Sequence, residues 1–199
     1  MTEIYNEVLM HDLTEPGFYW LDAGVIDSHE LRRKMIEISK CFAGFDVYSM
    51  MRFNQQNTTK FHLDGGPVPN ILVLGYEPSK VKSRLFLADH PCAANDLHVD
   101  PDTLVSKAMF GKDEELKPYV TELPQPKEGH SYILFINNDA TLGVMHKAEI
   151  DKNPDEFRMV NSIMLASLDE GHPRYTEQDL EEYVLTDAHA AEYRLQHDS

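Results

Sequence analysis

The sequence predicts an α+β fold: a jelly-roll-like β core with a helix on its N-terminal side and helices after it. Three observations carry that expectation. Seven short apolar or alternating runs follow one another between about 46 and 167: DVYSMMRFN, KFHLDGG, NILVLGYEP, SRLFLAD, SYILFINND, TLGVMHKAEI and RMVNSIMLAS. Gly, Pro, Asn and Asp punctuate them, as in an antiparallel sandwich or barrel. Helical periodicity precedes these runs, and a helix-start signal follows them. At 199 residues the chain is long enough to bury a real core, and 1–199 reads as a single domain.

Each element has its own signal. Asp27 and Glu30 have capping-box spacing, and Leu31, Met35, Ile36 and Ile38 form a helical stripe, so a helix is expected from Asp27 to about Cys41. About eight strands are expected over the core. Their rhythm breaks after the fourth, at about 90–129, a charged and Pro-rich stretch with a short helix expected near 101–109. An interruption this long inside a compact domain reads as functional, here as a lid. Thr176 with Asp179 repeats the capping-box spacing ahead of Leu180, Tyr183 and Val184, which places a helical segment over about 174–197.

Composition excludes several classes of partner. The formal net charge is −16, a field that repels phosphate backbones and anionic lipid, so neither nucleic acid nor membrane is expected. No apolar run approaches the roughly 20 residues of a membrane span. The opening MTEIYNEVLMHDL lacks the basic start and apolar stretch of a secretion signal. The two cysteines, Cys41 and Cys92, have no framework spacing, so free thiols in a reducing cytoplasm are expected.

Chemistry concentrates in KFHLDGG. Residues i and i+2 of a strand share a face, about 6.6 Å apart, so His62 and Asp64 can aim an imidazole and a carboxylate at one point. Two ligands hold a catalytic divalent ion poorly; two His and one carboxylate on one face leave open positions for reactants. His146, in the apolar run TLGVMHKAEI, supplies the third. Arg158 opens the next run, and a guanidinium entering an apolar strand is costly unless it meets an anion, which its planar fork suits. A second His-x-Asp pair, His98 and Asp100, precedes Pro101 and reads instead as a helix start. His90 is a loop histidine of the interruption, expected to be solvated.

These residues, taken in order, resemble the Fe(II)/2-oxoglutarate-dependent oxygenases, in particular their prolyl-4-hydroxylase-like branch. Phe53 lies nine positions before His62 where that branch carries an aromatic residue, and Arg158 lies twelve after His146, a spacing common in the family. The resemblance covers about 46–167. It implies a double-stranded β-helix, with iron held by His62, Asp64 and His146. It implies 2-oxoglutarate as co-substrate, its far carboxylate paired by Arg158 and contacted by Tyr76, and O2 as oxidant. Arg52, Asn54, Arg84 and Asn138 fall on strands or rims expected to line the substrate pocket. Phe53 and Gln56 stand where many relatives have Tyr and Gly, and Val160 where several have Ser. The expected reaction is hydroxylation of an unactivated C–H bond of a small molecule, such as an amino acid or natural-product intermediate, with release of succinate and CO2. The retained Asp64 argues against halogenation. The alternatives are a cupin-like metalloenzyme that does not use 2-oxoglutarate and a non-catalytic jelly-roll binding domain.

Overall fold

The computed structural model describes residues 2–9, 13, 17–169, 172, 174–186 and 192–193. Five helices and nine strands follow in order: α1 Thr2–Leu9, β1 Phe18–Gly24, α2 Ser28–Ser39, β2 Asp46–Asn54, β3 Asn70–Tyr76, β4 Ser83–Ala88, α3 His90–Leu97, α4 Pro101–Met109, β5 Val120–Glu122, β6 Ser131–Asn137, β7 Met145–Ile150, β8 Met159–Ala166, α5 Glu177–Leu185 and β9 Glu192–Tyr193. A 3-10 turn, Glu114–Tyr119, leads into β5.

The strands form two antiparallel sheets. The large sheet runs β1-β6-β3-β8-β2-β9, and the small one β5-β4-β7. Strand parity assigns the faces. On one face of the large sheet Leu72, Leu74, Leu134, Ile136, Val160 and Met164 meet Leu87 of the small sheet. On the other, Ile71, Val73, Ile133, Phe135, Ile163 and Leu165 pack under the helices, with Leu31, Met35, Ile36, Leu180 and Tyr183. A sheet covered on both faces must be apolar at every position. β3 and β6 are accordingly buried throughout, including Asn70 and Asn137 at their ends.

The helices begin where the sequence places them. The Asp27 carboxylate accepts from the Glu30 N–H at 2.8 Å to cap α2. Thr176 and Asp179 make the full capping box of α5. Sequence periodicity passes over α1 and β1, although Ile4 and Val8 at i, i+4 are buried in the helix-side core. The expected C-terminal helix is shorter than 174–197: α5 stops at Leu185, and Glu192–Tyr193 pairs as a strand with β2. Positions 187–191 and 194–197 lie outside the described residues.

The 90–129 stretch is a correction in kind. It does fold as a helix over Pro101–Met109, but α3, α4 and the 3-10 turn pack on the outer face of the small sheet. Ala93, Ala94, Leu104, Ala108 and Leu116 bury Phe61, Ala88 and Met145 there. The stretch is a buttress behind the small sheet, and its last strand, β5, joins that sheet.

One buried charge network ties α2, α5 and the large sheet together. Arg32, fully buried, donates to the carbonyls of Val184 (3.0 and 2.7 Å) and Thr186 (2.9 Å) and to Asn161 Oδ1 (3.1 Å). It thereby satisfies carbonyls that the end of α5 leaves open. Glu77 accepts from Arg52 at 2.9 and 3.0 Å and from Asn161 at 3.0 Å. Burial pushes the Glu77 carboxyl up, but the hydrogen bonds from Arg52 and Asn161 outweigh it and leave its pKa below the ordinary 4.5.

Two outcomes follow from this network. Arg32→Met leaves the Glu77 charge and the α5 carbonyls under-partnered, and should cost about 3–5 kcal/mol in urea unfolding. Because the Glu77 pKa is depressed on folding, its contribution is present above the unfolded value and is lost as pH falls below about 4.5. Melting temperature should therefore decline less steeply over that acid range in Glu77→Gln than in the wild type.

Candidate metal centre

The His62 segment enters the small sheet by a single bridge. His62 N–H donates to His146 O at 3.1 Å, and His146 N–H donates to His62 O at 3.0 Å. Just before it, Thr59 N–H donates to Ala148 O at 2.9 Å and its hydroxyl accepts from Ala148 N–H at 2.9 Å. Phe61, pointing the other way, is buried among the α3 and α4 side chains. The strand is thus pinned from behind by an aromatic ring and laterally by β7, and both histidines point to the inner side.

The result is a three-residue cluster. One nitrogen or oxygen from each of His62, Asp64 and His146 lies within 4.8 Å of the others, a spacing able to hold a metal ion. The two imidazole centroids are 4.2 Å apart. His62 Nε2 is 3.5 Å from Asp64 Oδ1, and His146 Nε2 is 4.0 Å from Asp64 Oδ2. These distances are too long for good hydrogen bonds, so the three side chains converge without satisfying one another.

The donor chemistry fits a divalent cation. The Nδ1–H of His62 donates to the Lys60 carbonyl at 2.8 Å, so Nε2 is the nitrogen that faces the cluster. A backbone carbonyl on the far nitrogen is the usual support of a metal-binding histidine. Burial, with the neighbouring His62 ring adding to it, lowers the His146 pKa to about 3, so this imidazole is neutral at physiological pH. Its Nδ1 is buried without a hydrogen-bond partner among the described residues. Burial raises the Asp64 carboxyl, with charge on His62 opposing it. A cation among these groups would compensate a carboxylate that is otherwise poorly solvated.

The cluster opens on a cavity of about 270 Å3 between the sheets, walled by Phe53, Leu74, Leu134 and Val160, with Gln55, Tyr76 and Ser162 as polar groups. A larger cavity, about 710 Å3, adjoins it across Tyr76 and Leu85. Arg158 lines the larger one. It is buried, donates from Nε to Ser83 Oγ at 3.0 Å and from Nη1 to Gln55 Oε1, and its guanidinium lies 5.1 Å from the Tyr76 ring centroid. Among the described residues no carboxylate forms an ion pair with Arg158. Burial pushes the Tyr76 phenol up to about 12, with the Arg158 charge opposing, so it stays a hydrogen-bond donor.

The four residues expected to line the pocket do other work. Arg52 faces the helices and pairs with Glu77; its neighbours Met51 and Phe53 are the ones at the cavity. The run Met50, Arg52, Asn54, Gln56 shares a face by parity, but Met50 belongs to the helix-side core. Asn54 staples the start of β8, accepting from Arg158 N–H at 2.9 Å. Arg84 is on the outer face of the small sheet, paired with Glu149 and 3.8 Å from Glu122. Asn138 is buried and bonds the backbone of Asp64. Gln55 and Ser83 were missed; Gln55 had a signal, since it shares the parity of Phe53.

The second His-x-Asp pair separates as expected. His98 caps α3 in a left-handed conformation (φ 54°) and Asp100 caps α4 through the Asp102 N–H at 2.9 Å. His90, contrary to expectation, is fully buried and donates from Nε2 to Ala140 O at 2.8 Å. No protein-family model and no curated protein matches this sequence. Among the described residues no helix is long and apolar enough to cross a membrane.

The wild-type protein should bind one Co(II) or Fe(II) per chain under anaerobic titration. His62→Ala and His146→Ala should each weaken binding by more than the 10–100-fold typical of losing an outer-shell partner. Equal binding in either variant would place the ion elsewhere.

Proposed function

We propose that the protein is an Fe(II)/2-oxoglutarate-dependent dioxygenase that hydroxylates an unactivated C–H bond of a small molecule. The observation that carries this reading is the convergence of His62, Asp64 and His146, two imidazoles and one carboxylate, on the wall of an apolar cavity. This is the facial set that suits non-haem iron(II) and leaves positions for reactants.

The winding of the chain supports a double-stranded β-helix. From β2 to β8 the path crosses between the sheets at every step except β4 to β5: β2, β3, β6 and β8 lie in the large sheet, and the His62 bridge, β4, β5 and β7 in the small one. Eight segments crossing between two layers in this way fit a jelly-roll. It brings the His62 bridge beside β7, which sequence distance alone would not do.

Iron bound here would supply the oxidation of the C–H bond, coupled to conversion of 2-oxoglutarate and O2 to succinate and CO2. The chain's own residues do the rest. Lys60 O fixes the His62 tautomer, and Phe53, Leu74, Leu134 and Val160 exclude water from the reacting centre. Arg158, a buried guanidinium with no carboxylate partner among the described residues, is the anchor for the far carboxylate of the co-substrate, with the Tyr76 phenol beside it. A cavity of about 270 Å3 suits compact reactants.

One observation favours a second reading, a cupin-like metalloenzyme that does not use 2-oxoglutarate. The Arg158 guanidinium lines the larger cavity and is engaged by Gln55 and Ser83. The two readings separate on one assay: succinate formed from 2-oxoglutarate under air with Fe(II), with or without prime substrate. Arg158→Ala should raise the 2-oxoglutarate concentration required, a loss on the order of 2–5 kcal/mol, while leaving Fe(II) affinity within a few-fold of wild type. Iron binding without succinate formation would favour the cupin-like alternative.

A further inference from the structure

The pairing that carries His62 is a single bridge, and it ends there. Asp64 therefore lies beyond strand pairing, on the approach to Gly65 and Gly66, where nothing in the sheet fixes it. Its backbone is held all the same. Asp64 N–H donates to Asn138 Oδ1 at 3.0 Å, and Asn138 Nδ2 donates to Asp64 O at 2.8 Å. The side-chain amide thus pairs with both polar groups of one residue, as an adjacent strand would.

Asn138 is itself locked. Its second amide hydrogen goes to Asn70 Oδ1 at 2.7 Å, its own N–H goes to Asn70 O at 3.1 Å, and Asn70 Nδ2 donates to Pro67 O at 2.7 Å. Both asparagines are 2% exposed. The loop that Asn138 begins, 138–144, is tightened by Asp139, whose carboxylate accepts from Thr141 and Leu142 N–H at 2.7 and 3.1 Å, and is held from outside by His90 on Ala140 O at 2.8 Å. Gly143 closes it: a Cβ there would collide with the carbonyl oxygens of Asp139 and Asn137. Two residues after Gly143 the chain re-enters the sheet at Met145, followed by His146.

We propose that Asn138 is a positioning residue for the metal centre, replacing a missing strand partner so that the Asp64 carboxylate stays in register with His62 and His146. The inference rests on the reading of that triad as a metal site. Asn138 touches neither metal nor substrate; it acts through the Asp64 backbone. Since the same loop delivers His146, one rigid segment sets the spacing of ligands from two different strands.

The test is anaerobic Co(II) titration of the full chain, read by calorimetry and by the visible absorption of bound cobalt, alongside unfolding midpoints of the metal-free proteins. Asn138→Ala should raise the Co(II) Kd by 10–100-fold, as loss of an outer-shell support does, and alter the cobalt band shape. Arg32→Met is the control, destabilised yet remote from the site, and it should keep the wild-type Kd. Should Asn138→Ala fail to fold, the isosteric Asn138→Asp carries the test. It keeps an acceptor for Asp64 N–H but sets an oxygen against Asp64 O and Asn70 Oδ1, and should also raise Kd at least about 10-fold. A wild-type Kd in a folded Asn138 variant, whatever its melting temperature, overturns the role of Asn138 alone. A wild-type protein that takes up no Co(II) overturns the metal site together with the inference built on it.

Discussion

Two hydrogen bonds between His62 and His146 hold the candidate metal site of this molecule together. They close the edge of the small sheet, and by closing it they set two imidazoles 4.2 Å apart on one face. A one-residue slip in that pairing would turn one ring away from the cavity, because strand parity allows no intermediate. The site therefore depends on register, and the surrounding structure protects register from three directions. Thr58 and Thr59 continue the pairing toward β7, Phe61 locks the strand against the helices behind it, and Asn138 holds the chain beyond it.

The rest of the fold divides the labour between two layers of helices. α1, α2 and α5 cover one face of the large sheet, leaving its other face free to wall the cavity. α3 and α4 do the same for the small sheet. Each sheet thus has an outer side largely covered by helices, with the Arg84, Glu122 and Glu149 cluster on the uncovered part of the small sheet, and an inner side on which a few polar groups converge. Among the described residues, buried arginines occur in two places of different character. In the Arg32, Arg52 and Glu77 network two guanidiniums share one carboxylate and fasten helices to sheet. Arg158 has hydrogen-bond partners and an aromatic neighbour but, among the described residues, no carboxylate, which is what the proposed co-substrate anchor requires.

Much of the architecture was legible because local chemistry decides it. Caps at Asp27 and Thr176, the short apolar runs and the His-x-Asp parity are each written within a few residues. Assigning faces was harder. Arg52 and Asn54 share a side of β2, but both sides of that strand face packed structure, so polarity could not say which one met the cavity. The partner that makes Arg52 structural, Glu77, sits 25 residues away beyond β3. The interruption at 90–129 reads as a lid from its length and its charged, Pro-rich composition, because the residues its helices bury, Phe61 and Met145, come from distant segments. His90 looked solvated for the same reason: its partner, Ala140, is fifty residues along.

The account stands on one ion held by three named side chains. Crystals grown anaerobically with Fe(II), measured on both sides of the iron absorption edge, test it most directly. The account predicts a single anomalous peak at about 2.0–2.2 Å from a nitrogen of His62, a nitrogen of His146 and an oxygen of Asp64. An iron peak elsewhere, or none at full iron loading, would contradict it.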